Sequence, residues 1–135
     1  AGLHSSLVIG TGNKVEDFGV GFYTKYGDGG VDLSPIADLM KSEVYELAAF
    51  LNVPNSIQKA APTDGLFGDS RTDEDQIGAS YDELEWAMKM QSNGKSENDF
   101  SGRKYEVFKI YLTLFNANQH KMQAIPICKI PKELK

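Results

Sequence analysis

Leu7 to Asp32 reads L-V-I-G-T-G-N-K-V-E-D-F-G-V-G-F-Y-T-K-Y-G-D-G-G-V-D, and this stretch decides the fold. Its first four residues, Leu7 to Gly10, make a short apolar run that predicts a buried strand. Gly10-Thr11-Gly12-Asn13 breaks the run, two glycines permitting a tight turn and the close approach of a ligand to backbone. Asn13 is then placed to cap a helix, with Glu16 three residues on at the capping-box spacing. Strand, Gly-rich turn and helix N-terminus in that order are the parts of a common α/β nucleotide site. Many α/β domains hold those parts without a ligand, so they assign none by themselves.

Phe22-Tyr23-Thr24-Lys25-Tyr26-Gly27-Asp28-Gly29-Gly30-Val31-Asp32 is more specific, setting aromatics, one lysine and two aspartates around three glycines. A purely structural loop has little reason for that composition. Together with G-T-G-N-K-V-E at 10–16 it resembles the ammonia-dependent NAD synthetases, a family of ATP pyrophosphatases. The resemblance continues in family order through a lysine-bearing helix at Lys41, a P-T loop at Pro62-Thr63 and an H-K pair at His120-Lys121. It covers nearly the whole chain but only the later half of such an enzyme.

The resemblance implies an α/β, Rossmann-like fold of the adenine nucleotide alpha hydrolase type, as a helix-rich C-terminal half. It implies ATP- and Mg²⁺-dependent adenylation of the nicotinate carboxylate of deamido-NAD, and then attack by ammonia to give NAD and AMP. Carried over by motif, Thr11, Lys41 and Thr63 match ATP contacts. Glu16 matches the Mg²⁺ ligand, a carboxylate being what a hard cation needs. Tyr23, Lys25, Asp32, His120 and Lys121 match contacts to deamido-NAD. Asp28 is the candidate for orienting ammonia, with a plain Asp-Gly turn as an equal contender. One extra residue lies between Glu16 and Gly21-Phe22 relative to the shortest family members, so Asp17 competes with Glu16 for the metal. Taken singly, each of these residues has an ordinary reading: a capping glutamate, a snorkelling lysine, a turn aspartate, core aromatics, or cations that complement a helix end.

The family's pyrophosphate-binding loop, S-G-G-x-D-S, is absent from the 135 residues, as is a Walker A pattern. The expectation is a half-enzyme with negligible synthetase activity alone. The residues before Leu7 read as the end of a preceding helix, again pointing to a fragment. The family implies a homodimer with the dinucleotide at the subunit interface. Two other readings remain: a different ATP pyrophosphatase that amidates a purine nucleotide, and a non-catalytic nucleotide-binding or dimerisation module.

Composition bounds these readings. Hydrophobic content of 41% and charged content of 24% are ordinary for a globular chain. A net charge of −5 argues against nucleic acid as a partner, so an anionic ligand must be met locally by lysines, helix ends or a metal. No apolar run is long enough to cross a membrane, and a single cysteine, Cys128, fits a reducing, cytoplasmic setting and carries no catalysis.

Along the chain, Met40, Val44, Leu47, Ala48 and Leu51 fall on one helix face, predicting a buried stripe. The helix ends before Pro54, and 54–61 adds a short turn. Pro62 to Ala79 reads as a long acidic, Gly-containing loop, a lid over the ligands, with Asp73-Glu74-Asp75 a solvated helix start. Ser80 and Glu83 form a second capping box, and Tyr81, Leu84 and Met88 mark a buried face ending at Gly94. The last helix spans roughly 102–116, with Val107, Ile110, Tyr111, Leu114 and Phe115 facing inward. The tail from Ala124 to Pro131 is extended and packed over the surface. No internal boundary divides residues 1–135.

Overall fold

The protein is described by a computed structural model covering residues 1–63, 65, 68 and 71–135. Its order follows from two long helices that the sequence marks clearly. Ser80 accepts from the Glu83 amide at 3.3 Å while the Ser80 amide donates to Glu83 Oε2 at 3.0 Å, starting helix α4 (Tyr81–Ser92). Helix α5 (Gly102–Ala117) returns beside it, its first turn pinned by Arg103, whose guanidinium donates to both Glu83 oxygens at 2.7 and 2.8 Å. Leu84, Ala87 and Met88 of α4 meet Val107, Phe108 and Tyr111 of α5, all buried. Trp86 and Phe100 extend this core edge-on, with ring centroids 4.9 Å apart.

The third wall of the core is the segment Val15–Val20, which supplies the buried Val15 and Val20. It is a π-helix, wider than an α-helix. Asn13 caps it as expected, accepting from the amides of Val15 and Glu16 at 2.9 and 3.2 Å, and its own amide donates to Glu16 Oε2 at 3.2 Å. At the other end, the Gly21 amide reaches back five residues to the Glu16 carbonyl. The additional residue between Glu16 and Gly21 is thus taken up in the width of the turn, leaving both ends in place.

Four shorter α-helices, α1 (Lys41–Phe50), α2 (Asn55–Gln58), α3 (Asp73–Ile77) and α6 (Gln119–Met122), and three single 3-10 turns complete the set among the described residues. α2 is the short turn expected after Pro54. α3 lies inside the stretch read as a long loop; Thr72 caps it, exchanging hydrogen bonds with Asp75. Its first residue, Asp73, is buried, so the acidic run is not wholly solvated. Part of that loop (64, 66, 67, 69 and 70), and with it the lid expectation, lies outside the described residues.

Three further expectations are corrected. Leu7–Gly10 is not a buried strand: among the described residues the β structure is one parallel bridge, Ile9 to Leu33, and Leu7, Val8 and Ile9 are exposed. Two short segments with no third neighbour cannot extend a ladder. α1 buries none of its residues, and Leu51 and Phe50 are open to solvent, because no element covers that face. The tail is extended, but Ile125, Ile127 and Ile130 point into solvent and not onto the surface.

Candidate functional site

The Gly-rich turn, the π-helical segment, the loop at 22–31 and α6 enclose a cleft of ≈ 320 Å³. Thr11, Glu16, Asp17, Tyr23, Asp28 and Lys121 line it together, although they lie up to 110 positions apart. Gly12 leaves room for the Asp17 carboxylate: a Cβ on it would fall 2.1 Å from Asp17 Oδ1 and displace that side chain. Gly29 serves the Tyr23 ring in the same way, since a Cβ there would lie 2.5 Å from the ring edge. Aromatic ring and glycine backbone thereby form one flat wall of the cleft.

Charge is distributed unevenly around this wall. The Lys121 ammonium donates to the carbonyls of Gly21 and Tyr23 at 2.8 and 2.7 Å and stands 5.5 Å from the Tyr23 ring centre. Lys25 donates to the His120 carbonyl. Lys121 lines the cleft and Lys25 does not; both are held by neutral acceptors in these contacts, which leave their charge uncancelled. The His120 ring lies outward, its Nδ1 3.2 Å from the Ala117 carbonyl. The H-K pair therefore divides its work: the lysine reaches the cleft, whereas the histidine presents its backbone to Lys25.

Glu16 behaves differently. Its Oε1 accepts from Lys41 at 3.1 Å and from the Tyr81 hydroxyl at 2.6 Å. The Lys41 ammonium also sits 4.6 Å over the Tyr81 ring. Burial and the Glu16 carboxylate beside it push the Tyr81 phenol far above its usual value, keeping it neutral and a donor. Asp17, the next residue, is pushed up to about 6, first by burial and then by the negative charges of Glu16 and Asp28. The same burial, with Asp17 and Asp28 nearby, raises the Tyr23 phenol.

The remaining expected residues fall as follows. Asp28 lines the cleft while its Oδ1 accepts from the Thr24 amide at 2.7 Å, so the turn role and the cleft position coexist. Asp32 lies outside the cleft lining; its Oδ2 accepts from the Val8 amide at 2.9 Å and its amide donates to the Val8 carbonyl, tying the bridge together. Thr63 is exposed beside Pro62, whose carbonyl accepts from the Asp73 amide at 3.0 Å. Sequence reasoning missed Tyr81, placed only in the core, and Glu85, whose carboxylate binds the Ser42 amide and hydroxyl at 2.9 and 2.7 Å. The local sequence carried no signal for either, because each acts on a residue about 40 or more positions away.

Among the described residues no three His, Cys, Asp or Glu side chains converge to hold a metal unaided, and no helix is long and apolar enough to cross a membrane.

The fold is similar to those of two solved synthetases. The structure of NMN synthetase from Francisella tularensis matches 96% of the chain, which covers 50% of that protein, at a TM-score of 0.78 and 32% identity. The NH3-dependent NAD synthetase from Campylobacter jejuni matches 95%, covering 47% of that protein, at 0.66 and 26%. The NAD synthase family model matches residues 1–125, and the chain belongs to that family. In sequence it is 41% identical to the NH(3)-dependent NAD(+) synthetase of Archaeoglobus fulgidus over 92% of its own length. The chain spans about half the length of the curated relatives it matches, 47% in that case.

Proposed function

We propose that the chain is the C-terminal half of an ammonia-dependent NAD synthetase, which amidates deamido-NAD at the expense of ATP. The observation that carries this reading is the convergence of Thr11, Glu16, Asp17, Tyr23, Asp28 and Lys121 on one cleft. The Tyr23 ring against Gly29 offers a flat surface for the nicotinate ring. Lys121 and Lys25, held by neutral carbonyls, offset phosphate charge. Thr11 and Thr63 hydrogen-bond ATP, as does Lys41 once its carboxylate partner turns away. His120 and Asp32, which lie outside the cleft lining, would contact the part of deamido-NAD that extends beyond it. Asp28, fixed by the Thr24 amide, orients ammonia toward the activated carboxylate.

Magnesium fits the donor chemistry of the cleft. Glu16 and Asp17 are oxygen donors adjacent in sequence, and burial followed by the adjoining negative charges disfavours a bare Asp17 carboxylate, which a divalent cation would relieve. Bound there, it would neutralise phosphate charge. With no third protein ligand converging among the described residues, phosphate oxygens and water would complete its shell. The Ile9–Leu33 bridge, parallel in sense, is the seed of a Rossmann-like sheet in the longer fold, and the active assembly is a homodimer.

A second reading of the substrate is favoured by the better superposition on an NMN synthetase: nicotinate mononucleotide in place of the dinucleotide. The test supplies the S-G-G-x-D-S-bearing half in trans from a relative and assays ATP, Mg²⁺ and ammonium with each substrate. The expected result is no turnover by the chain alone and preferred turnover of deamido-NAD by the mixture. Preferred turnover of the mononucleotide would install the second reading. Ligand binding with no turnover of either would replace both with a non-catalytic module.

A further inference from the structure

Tyr81 opens α4 at 5% exposure, and its hydroxyl has one proton to donate and two carboxylates to receive it. Glu16 Oε1 lies 2.6 Å away and Asp73 Oδ2 3.2 Å away. The nearer acceptor is shared with the Lys41 ammonium. The farther one belongs to the first residue of α3, whose amide binds the Pro62 carbonyl next to Thr63. The phenol thus stands between the acidic cleft and the closing point of the 62–73 loop.

We propose that Tyr81 is a positioning residue that holds Glu16 while the cleft lacks a cation and transfers its hydroxyl hydrogen bond to Asp73 when Glu16 turns to a divalent ion. The inference rests on Glu16 being the cation ligand of the proposed function. A hydroxyl buried this deeply is costly to leave without an acceptor. With Asp73 in reach, the donor is satisfied in both positions, so Glu16 leaves Tyr81 without stranding it. The transfer tightens the bond at the start of α3, so a cation in the cleft is felt at the base of the loop that carries Thr63. Lys41 keeps its contact with the Tyr81 ring throughout and is freed from Glu16 for phosphate.

The test uses the whole chain and two readouts. NMR follows the slowly exchanging Tyr81 hydroxyl proton, identified by its loss in Tyr81→Phe, and electron paramagnetic resonance measures Mn²⁺ affinity. Adding Mg²⁺ should move the proton toward the position it holds in metal-free Glu16→Gln, where Asp73 is the only charged acceptor left to it. Asp73→Ala should weaken Mn²⁺ binding about fivefold, and adding Tyr81→Phe should restore it to within about twofold, because no donor remains to strand. A merely structural contact predicts two additive losses. A hydroxyl proton indifferent to Mg²⁺, or an Asp73→Ala defect that Tyr81→Phe does not suppress, overturns the inference. Should Asp73→Ala lose its fold, the NMR shift alone decides. If the wild-type chain binds no Mn²⁺, the cation reading falls and the inference with it. Mn²⁺ binding abolished by Glu16→Gln but unaffected by Asp73→Ala overturns only the role of Tyr81.

Discussion

The α4–α5 pair and the α1 region are built from similar amphipathic patterns and end in opposite states. In the pair, Leu84, Phe108 and Tyr111 are almost wholly buried, and the Tyr111 hydroxyl donates to Gln91 at 2.6 Å. In α1, a stripe of equal regularity is only half-buried at Met40, Val44 and Ala48 and exposed at Leu47 and Leu51, and Phe50 beside it is 81% exposed. Hydrophobic periodicity records that a face is apolar; it carries no information about what covers it. The cleft touches both regions through Glu16. The segment holding Glu16 packs Val15 and Val20 into the core of the buried pair, and the Glu16 carboxylate accepts from Lys41 at the start of the open helix.

The widest test of this contrast truncates one phenylalanine in each region. Phe108→Ala should destabilise the chain by about 3–5 kcal/mol in urea unfolding, and Phe50→Ala by less than about 0.5 kcal/mol. Equal losses would mean that α1 is covered in solution. Next in size is Lys121→Ala, which removes two charged hydrogen bonds to backbone carbonyls and should cost about 2 kcal/mol by the same measurement. Its loss should also loosen the 22–31 loop, seen as faster amide exchange at Tyr23.

Asp17→Asn should act in the other direction. The Asp17 carboxyl is pushed up to about 6, above its unfolded value of about 4. Between those values the folded chain holds a proton that the unfolded chain has lost. This group's contribution to stability is therefore full below about pH 4 and declines as the pH rises through 6. The amide variant removes that decline. After allowance for solvent screening it should gain about 1 kcal/mol at pH 7, and nothing at pH 4. The smallest effect is expected from Arg103→Ala, which breaks an exposed pairing with Glu83. Arg103 holds the Glu83 carboxyl below its ordinary value, so this contribution is present at neutral pH and fades as the pH falls through that lowered value. The loss on substitution should shrink further in high salt.

What was legible in the sequence was local. Both capping boxes, Asn13 with Glu16 and Ser80 with Glu83, form as their spacing predicts, because each is decided within four residues. The inward faces of α4 and α5 follow their period for the same reason, with Phe108 added to the core at its centre. The clustering of Thr11, Tyr23, Asp28 and Lys121 was legible through motif order. Their partners were not: Lys25 on the His120 carbonyl, Tyr81 on Glu16 and Asp32 on the Val8 amide all join distant stretches. The extra residue beside Glu16 was visible as a count. Its consequence, a widened helical turn with Asp17 lining the cleft at its start, depended on Asn13 and Gly21 holding the two ends fixed.

That turn has a consequence for the history of the chain. A helix whose ends are anchored and whose middle is wide is a place where length changes without propagating. Removing one residue between Phe18 and Val20 would rewind the turn to ordinary pitch and return Gly21 to the same spot. Homologous chains should therefore differ by one residue at this point and superpose on both sides of it.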